Sequence, residues 1–130
     1  MVEISFAGNN FCAYVPLLPG CVSTGNTPDE IKKNIKEAID FHIAGTLDDG
    51  DTLPKSFNGN YELVYKFNAQ SLLKYYKNVI TGPALERYSH INQKQLNHYA
   101  NGYKTPRITQ VNKIKEGLHK LGAELLAVEL

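Results

Sequence analysis

The stretch TGPALERYSHINQKQLNHYANGYKTPR, residues 81–107, decides how the second half of the chain folds. Apolar residues recur at helical spacing on each side of a polar segment, with Leu85 and Tyr88 before it and Leu96 and Tyr99 after it. The pattern predicts two short helices around a tight turn. That organisation is typical of a helix-turn-helix, whose second helix enters the major groove of DNA.

The second predicted helix carries a polar outer face. Asn92 is suited to cap its N-terminus, and Asn101-Gly102 is suited to end it. With Leu96 and Tyr99 turned inward, the outward side chains near the N-terminus have groups that bond base edges. The predicted base-reading residues are Gln93, Lys94, Asn97 and His98. The alternative is a hydrated helix face without a ligand, since these residue types are common on protein surfaces.

The loop after that helix is rich in hydroxyl and cationic groups. Such groups contact the sugar-phosphate backbone, which sets register and salt dependence rather than sequence choice. The predicted backbone contacts are Tyr103, Lys104, Thr105 and Arg107. The amide groups near Gly82, which open the first helix of the pair, are a further predicted phosphate site.

Helical spacing continues on both sides of this pair. The apolar residues of 72–76 predict a helix before it, and those of 111–121 predict a last helix that Gly122 ends. The apolar tail at 124–130 predicts a self-association element. Residues 68–130 are therefore predicted to form an all-α domain.

The residues before that domain carry strand patterns instead. Alternating apolar residues predict a hairpin over 2–16 with a turn at Gly8-Asn9-Asn10, and a third strand over 21–24. Thr27-Pro28-Asp29-Glu30 is a capping box with proline at the first helical position. It predicts an amphipathic helix that packs on the hairpin and closes near Gly45.

A polar segment separates that helix from a last strand. Residues 45–60 are rich in Gly, Asp, Ser and Asn, which predicts a surface loop with too little apolar content to pack. Asp48-Asp49-Gly50-Asp51 suggests calcium, but the twelfth position of an EF-hand is here Gly59 rather than a glutamate, so a solvated turn is predicted. The alternation over 61–67 predicts a strand that rejoins the sheet.

The composition is that of a globular protein, with 42% hydrophobic residues. No apolar run approaches the roughly 18 residues of a membrane span, and no export signal precedes the first strand, so a cytoplasmic protein is expected. Cys12 and Cys21 are accordingly expected to be reduced and buried as small apolar groups.

The net charge of +1 conceals a division between the two halves. Up to Phe67 there are 5 Lys and Arg against 9 Asp and Glu, a net −4, whereas from Asn68 onward there are 9 against 4, a net +5. The division predicts a polyanion as partner of the second half and a basic protein as partner of the first. The alternative is a chance distribution in a short chain.

The N-terminal motifs resemble those of one bacterial family, the HicB antitoxins. An aromatic strand ends at Tyr14-Val15-Pro16, and Leu18-Pro19-Gly20-Cys21 and the polar Thr24-Gly25-Asn26-Thr27 follow before an amphipathic helix. This is the order of the family's motifs, and the match covers about residues 1–67. Residues 85–107 resemble the phage-repressor-like helix-turn-helix that often follows such a domain.

The resemblance implies an α+β fold with two domains. These are a partial ribonuclease H-like β-β-β-α-β domain over 1–67 and an all-α helix-turn-helix domain over 68–130. It also implies an antitoxin of a type II toxin-antitoxin system, which covers the active site of a small basic, mRNA-cleaving HicA-like toxin and represses their shared operon. The chain departs from the PDLPGC-like run of many members, because Leu17 stands where they carry an acid.

The oligomeric state is predicted from DNA affinity, because one small helix-turn-helix usually binds DNA too weakly to hold an operator. A homodimer or higher homo-oligomer that reads two half-sites of operator DNA is therefore expected.

Two other functions remain open from the sequence. A metal-dependent nuclease needs carboxylates that converge on two ions, but Glu30 belongs to the capping box and the other helix acids fit a solvated face. No local signature of a catalytic nucleophile is present, so a protein without catalytic residues, metal or cofactor is expected. The second alternative is a stand-alone DNA-binding regulator whose N-terminal domain binds another protein or a small ligand.

Overall fold

The computed structural model describes residues 1–7 and 9–130; Gly8, in the predicted hairpin turn, lies outside the described residues. The chain divides into an N-terminal unit, Met1–Asn68, and a C-terminal unit, Ala69–Leu130. The first is a four-stranded sheet with a helix and the second is helical, so the predicted α+β class is confirmed. In the described part of the chain, no helix is long and apolar enough to cross a membrane.

The sheet of the N-terminal unit consists of a hairpin and two further strands. β1 (Val2–Ala7) pairs antiparallel with β2 (Asn10–Tyr14), which pairs antiparallel with β3 (Val22–Gly25). β4 (Tyr65–Phe67) pairs parallel with β1, giving the order β3-β2-β1-β4. The predicted hairpin, third strand and returning strand are present, although β4 is shorter than the pattern over 61–67 indicated.

Strand alternation places the two cysteines differently. In β2, Phe11 and Ala13 are fully buried while Cys12 between them is exposed, because successive side chains of a strand point to opposite faces. Cys21 is buried, and both thiols are free. The expectation of two buried cysteines is therefore correct for Cys21 and wrong for Cys12.

The long helix α1 (Pro28–Asp48) begins at the predicted capping box. Thr27 Oγ1 accepts the Glu30 N–H at 3.0 Å, and Ile31, Ile35 and Ile39 are its buried residues. The predicted end near Gly45 is wrong.

The helix ends one turn later than Gly45. Gly50 takes the left-handed conformation at φ +74°, and its N–H bonds Leu47 O while the Asp51 N–H bonds Thr46 O. These two bonds form a Schellman motif, so the glycine that ends the helix is Gly50.

The segment after α1 packs more than its composition indicated. Leu53 and Phe57 are buried, the latter in a 3-10 turn at Lys55–Phe57, and the Phe57 ring meets the Tyr61 ring edge-on at 5.0 Å. The prediction of an unpacked surface loop is therefore wrong for this part, because two apolar side chains suffice to hold a polar segment against a core.

The C-terminal unit contains four helices. They are α2 (Ala69–Tyr75), which continues into a 3-10 turn, α3 (Gly82–Ser89), α4 (Gln93–Ala100) and α5 (Ile108–Leu126). The core that holds them together comprises Leu73, Ile91, Leu96, Tyr99 and Ile114. The two short helices predicted in residues 81–107 are thus present.

Helix α5 differs from the prediction at its C-terminus. It continues through Gly122 to Leu126, because the following Ala, Glu and Leu residues are good helix formers. An earlier glycine, Gly117, is buried where α5 approaches α3: a Cβ there would lie 2.9 Å from the carbonyl carbon and oxygen of Tyr88. Beyond the helix, the apolar tail is exposed.

Candidate functional site

Helices α3 and α4 are joined by three residues, and each begins at a side-chain cap. Thr81 Oγ1 accepts the Ala84 N–H at 3.2 Å, and Asn92 Oδ1 accepts the Gln95 N–H at 2.8 Å, which confirms the predicted cap at Asn92. His90 ends α3 in the left-handed conformation at φ 60°. This conformation turns the chain within three residues, which is the tight turn predicted from the sequence.

The two helices are also joined through side chains. Glu86 of α3 accepts the backbone N–H of Gln93 at 3.0 Å, in the first turn of α4. The Gln93 side chain packs on the start of α3: a Cβ on Gly82 would lie 2.9 Å from Gln93 Oε1. The geometry of the pair is therefore fixed from both sides of the turn.

The predicted base-reading residues of α4 do not all have the same exposure. Gln93, Lys94 and Asn97 are exposed. His98 is half-buried, its ring lies 6.0 Å from the Tyr103 ring, and its Nδ1 is buried without a hydrogen-bond partner among the described residues. Three of the four predicted residues are thus exposed, whereas His98 packs beneath the following loop.

That loop is held against α4 by backbone hydrogen bonds. Gly102 has φ +76°, and the N–H groups of Tyr103 and Lys104 both donate to His98 O, at 2.9 and 3.3 Å. This confirms the predicted glycine stop. Tyr103 is 76% exposed, so its hydroxyl is accessible to a ligand although its ring contacts His98.

The loop and α5 enclose a cationic cleft of about 690 Å³. Lys104, Thr105 and Arg107, all predicted from the sequence, line it together with the first turns of α5. α5 contributes Thr109, Gln110 and Lys113 to the cleft, and these three residues were not predicted from the sequence. Their spacing of one and three residues places them on one helical face, which identifies them once α5 is known to begin at Ile108.

Hydrogen bonds connect three residues of the cleft. Gln95 donates from Nε2 to the Tyr99 hydroxyl at 2.8 Å, and Lys104 Nζ lies 3.5 Å from Gln95 Oε1. A core tyrosine therefore orients a glutamine that in turn holds a cation at the mouth of the cleft.

The predicted phosphate site at the start of α3 offers few amides. Pro83 has no N–H, and the Ala84 N–H is already bonded to Thr81. The cleft beside α5, with Lys104, Arg107 and Lys113 in its lining, offers more to an anion than the start of α3 does.

A tyrosine links α3 to α5. The Tyr88 hydroxyl donates to the Glu124 carboxylate, and this hydrogen bond raises the pKa of Tyr88. Arg87 and Lys120 lie 5.4 and 6.0 Å from the centre of the same ring. The contacts join the helical pair to the long helix that carries part of the cleft.

The N-terminal unit has a cleft of its own on the open side of the sheet. It measures about 340 Å³, and Glu3, Tyr14 and Lys66 are among its lining residues. The Tyr14 hydroxyl donates to Glu3, which raises the pKa of Tyr14. Among residues 1–7 and 9–130, no group of three or more His, Cys, Asp or Glu side chains is arranged to hold a metal ion, so the nuclease alternative gains no support.

The family of the chain follows from its N-terminal unit. Residues 2–66, half of the chain, match the family model of the HicB-like antitoxin of bacterial toxin-antitoxin systems. The chain belongs to this family. Membership in this family supports an antitoxin role.

Individual relatives of this HicB-like antitoxin match over shorter stretches. An uncharacterized 14.9 kDa protein from the rep-hol intergenic region of Haemophilus phage HP1 is 47% identical over 53 residues, which is 41% of this chain and 40% of the relative. A UPF0150 protein of Helicobacter pylori is 49% identical over 35 residues, which is 27% of this chain and 49% of the relative. The chain thus spans less than half the length of these curated relatives.

A solved structure, the HicA3 and HicB3 toxin-antitoxin complex, contains a chain that is 34% identical to this one. The match covers 42% of this chain and 67% of that chain, with a TM-score of 0.38.

Proposed function

We propose that this HicB-like antitoxin binds and neutralises a small basic, mRNA-cleaving HicA-like toxin through its N-terminal unit. We propose further that α3 and α4 act as a helix-turn-helix with which the protein represses its own operon. The observation that carries the DNA-binding part is the row of exposed polar side chains on α4 beside a cleft lined by Lys104, Arg107 and Lys113. The toxin and the operator DNA both belong to the cytoplasm, where the protein would act.

Base recognition falls to the outer side of α4. Lys94 reaches guanine O6 and N7, and Asn97 bonds adenine bidentately through its amide. Gln93 lies at the start of α4, beside the start of α3. Its side-chain amide is assigned a hydrogen bond to a base or a phosphate there. His98 is half-buried against Tyr103, so we assign it to positioning the loop and to one contact through its exposed ring edge.

Backbone binding falls to the cleft. Its three cations neutralise phosphates of one strand, while Tyr103 and Thr105 donate hydroxyl hydrogen bonds to the same backbone. The net charge of +5 from Asn68 onward attracts DNA to this unit at long range.

A homodimer or higher homo-oligomer reads the operator. The exposed apolar tail supports this proposal, because Leu126 is 90% exposed and Leu125 63% exposed at the end of α5. Two copies joined there would present two α4 helices to half-sites about one helical turn apart.

Gel-shift titration with the chain's own promoter tests the DNA-binding part. Lys94→Ala and Asn97→Ala are expected to lower affinity for the operator by about 1–3 kcal/mol while affinity for a scrambled duplex changes little. Lys104→Ala weakens binding to both duplexes and reduces the salt dependence by about one ion. Lys115→Ala, an exposed lysine of α5 outside the cleft, is the matched control and should leave both affinities unchanged.

The outcome that contradicts the assignment is equal loss on both duplexes for the α4 variants. Absence of salt-sensitive binding to the promoter at every protein concentration would remove the DNA-binding function altogether.

Co-expression with the adjacent open reading frame tests the antitoxin part. The expected result is a stable complex with a small basic protein, and relief of that protein's growth inhibition. Separate migration of the two proteins would contradict it and leave a stand-alone DNA-binding regulator.

A further inference from the structure

The last part of α1, from Asp40 to Asp48, carries no buried residue. Ile31, Ile35 and Ile39 form a buried stripe before it, but every residue from Asp40 to Asp48 is exposed or half-buried. A helix that continues for more than two turns beyond its packed stripe gains little from the core of its own unit. This part of α1 therefore presents a surface whose residues need another explanation.

That surface contains an apolar ridge. Phe41, Ala44 and Leu47 lie three residues apart, so they form one row along the helix. Phe41 is 83% exposed and Leu47 is 58% exposed. An exposed phenylalanine ring costs hydration free energy in the isolated protein, and aromatic residues are typical anchors of protein interfaces.

Acidic residues precede and follow the apolar ridge along the chain. Between residues 37 and 54 the chain contains no Lys or Arg and has the acids Glu37, Asp40, Asp48, Asp49 and Asp51. One of these is partly compensated, because Asp40 Oδ2 lies 3.3 Å from Lys36 Nζ in an exposed pair. The C-terminal end of α1 adds the negative end of the helix dipole, and the last turn has no basic residue to offset it.

Two of the acids precede Phe41 and three follow Leu47, so the ridge lies between them in the sequence. In the part of the chain that the structure describes, they form no group that could hold a metal ion. An apolar row with an acidic rim and no cation site fits a macromolecular surface of opposite charge.

We propose that the apolar ridge of α1, with Phe41 as its anchor and the acidic residues as its rim, is the surface that docks the small basic toxin. This inference rests on the proposed antitoxin function. A protein that cleaves mRNA presents cations to the phosphate backbone, and the acidic rim occupies those cations in place of RNA. A partner arginine or lysine stacks on the exposed Phe41 ring.

Titration calorimetry with the purified protein of the adjacent open reading frame tests the proposal. Phe41→Ala is expected to weaken the complex at least tenfold. The fold should persist because the ring is exposed, and circular dichroism checks this. Val22→Ala, which removes a 60% exposed apolar residue from the open side of the sheet, is the matched control and should bind like the wild type.

The charged rim has a separate readout. The double variant Asp48→Asn and Asp49→Asn keeps side-chain size and is expected to slow association at least threefold at low salt and to flatten the salt dependence of the rate. The dissociation rate should change little, since charges at the rim of an interface act mainly on the association rate.

Each failure has its own signature. Absence of any complex with the wild-type chain overturns the antitoxin function itself. A normal complex with Phe41→Ala overturns only the docking surface, as does a loss confined to Val22→Ala, which would place the toxin on the open sheet. A change in the mass of the free chain on Phe41→Ala would show that the ridge serves self-association and would equally overturn the proposal.

Discussion

Replacing Gly117 by alanine is expected to destabilise the C-terminal unit, although alanine is the better helix former. Propensity alone would add about 1 kcal/mol to the free energy of unfolding. The new Cβ, however, would lie 2.9 Å from the Tyr88 carbonyl and 3.0 Å from the Ser89 nitrogen. Favourable contacts between heavy atoms need about 3.5–4.0 Å, and the atoms in the way are backbone, so α3 and α5 must separate by more than half an ångström.

Overpacking of this kind costs about 3 kcal/mol when the neighbours are rigid, which leaves a net loss of about 2 kcal/mol for Gly117→Ala. The same helix supplies the matched control. Around Gly122 nothing lies within 4 Å of an added Cβ, so Gly122→Ala should gain about 0.5–1 kcal/mol from propensity alone. The two alanine variants should therefore differ by nearly 3 kcal/mol with opposite signs.

Urea unfolding followed by far-UV circular dichroism gives the two free energies. Hydrogen exchange of peptides from residues 82–126 assigns the change to the C-terminal unit. Since Gly117 lies where α5 meets α3, the loss should also weaken operator binding by the same variant. If Gly117→Ala proves as stable as Gly122→Ala, α3 and α5 do not approach each other closely at Gly117.

Three further predictions concern single sites. Burial raises the pKa of the Cys21 thiol, so iodoacetamide should label Cys12 at least tenfold faster at neutral pH, as read by mass spectrometry; equal rates would contradict the burial. His90→Gly should raise the unfolding free energy by about 0.5–1 kcal/mol, because glycine adopts φ 60° without strain, and a loss in urea titration would speak against it. Gly25→Ala should lower the melting temperature of the N-terminal unit, at a cost of about 1–3 kcal/mol, because its Cβ would lie 2.8 Å from Ile31 N; an unchanged calorimetric transition would refute this.

Local patterns in the sequence were sufficient for most of the fold. Hydrophobic spacing and caps at Thr27 and Asn92 identify α1 and the α3–α4 pair, because these signals depend on neighbours within one or two turns. The end of α1 could not be predicted correctly, because both Gly45 and Gly50 are suited to end a helix. Only the backbone conformation, with a positive φ at Gly50, shows which of them does so.

The missed features depend on distant contacts. Phe57 is buried by packing that a polar surrounding segment does not reveal. The burial of His98 arises from the loop folding back on α4, and the role of Lys113 arises from the way α5 enters beside that loop. The three outer positions of α4 and the loop cations were accessible from spacing alone, and their role in DNA binding stays a prediction.

The parallel ladder between β1 and β4 has a consequence for synthesis of the protein. Val2 lies opposite Tyr65 and Ile4 opposite Phe67, so β1 is synthesised well before the strand that pairs with it in parallel. Such non-local pairing is slow to form, and until then one edge of β1 offers unpaired N–H and C=O groups. A chain interrupted between β1 and residue 65 therefore keeps an open, protease-accessible edge, and the sheet is completed only in copies translated through β4.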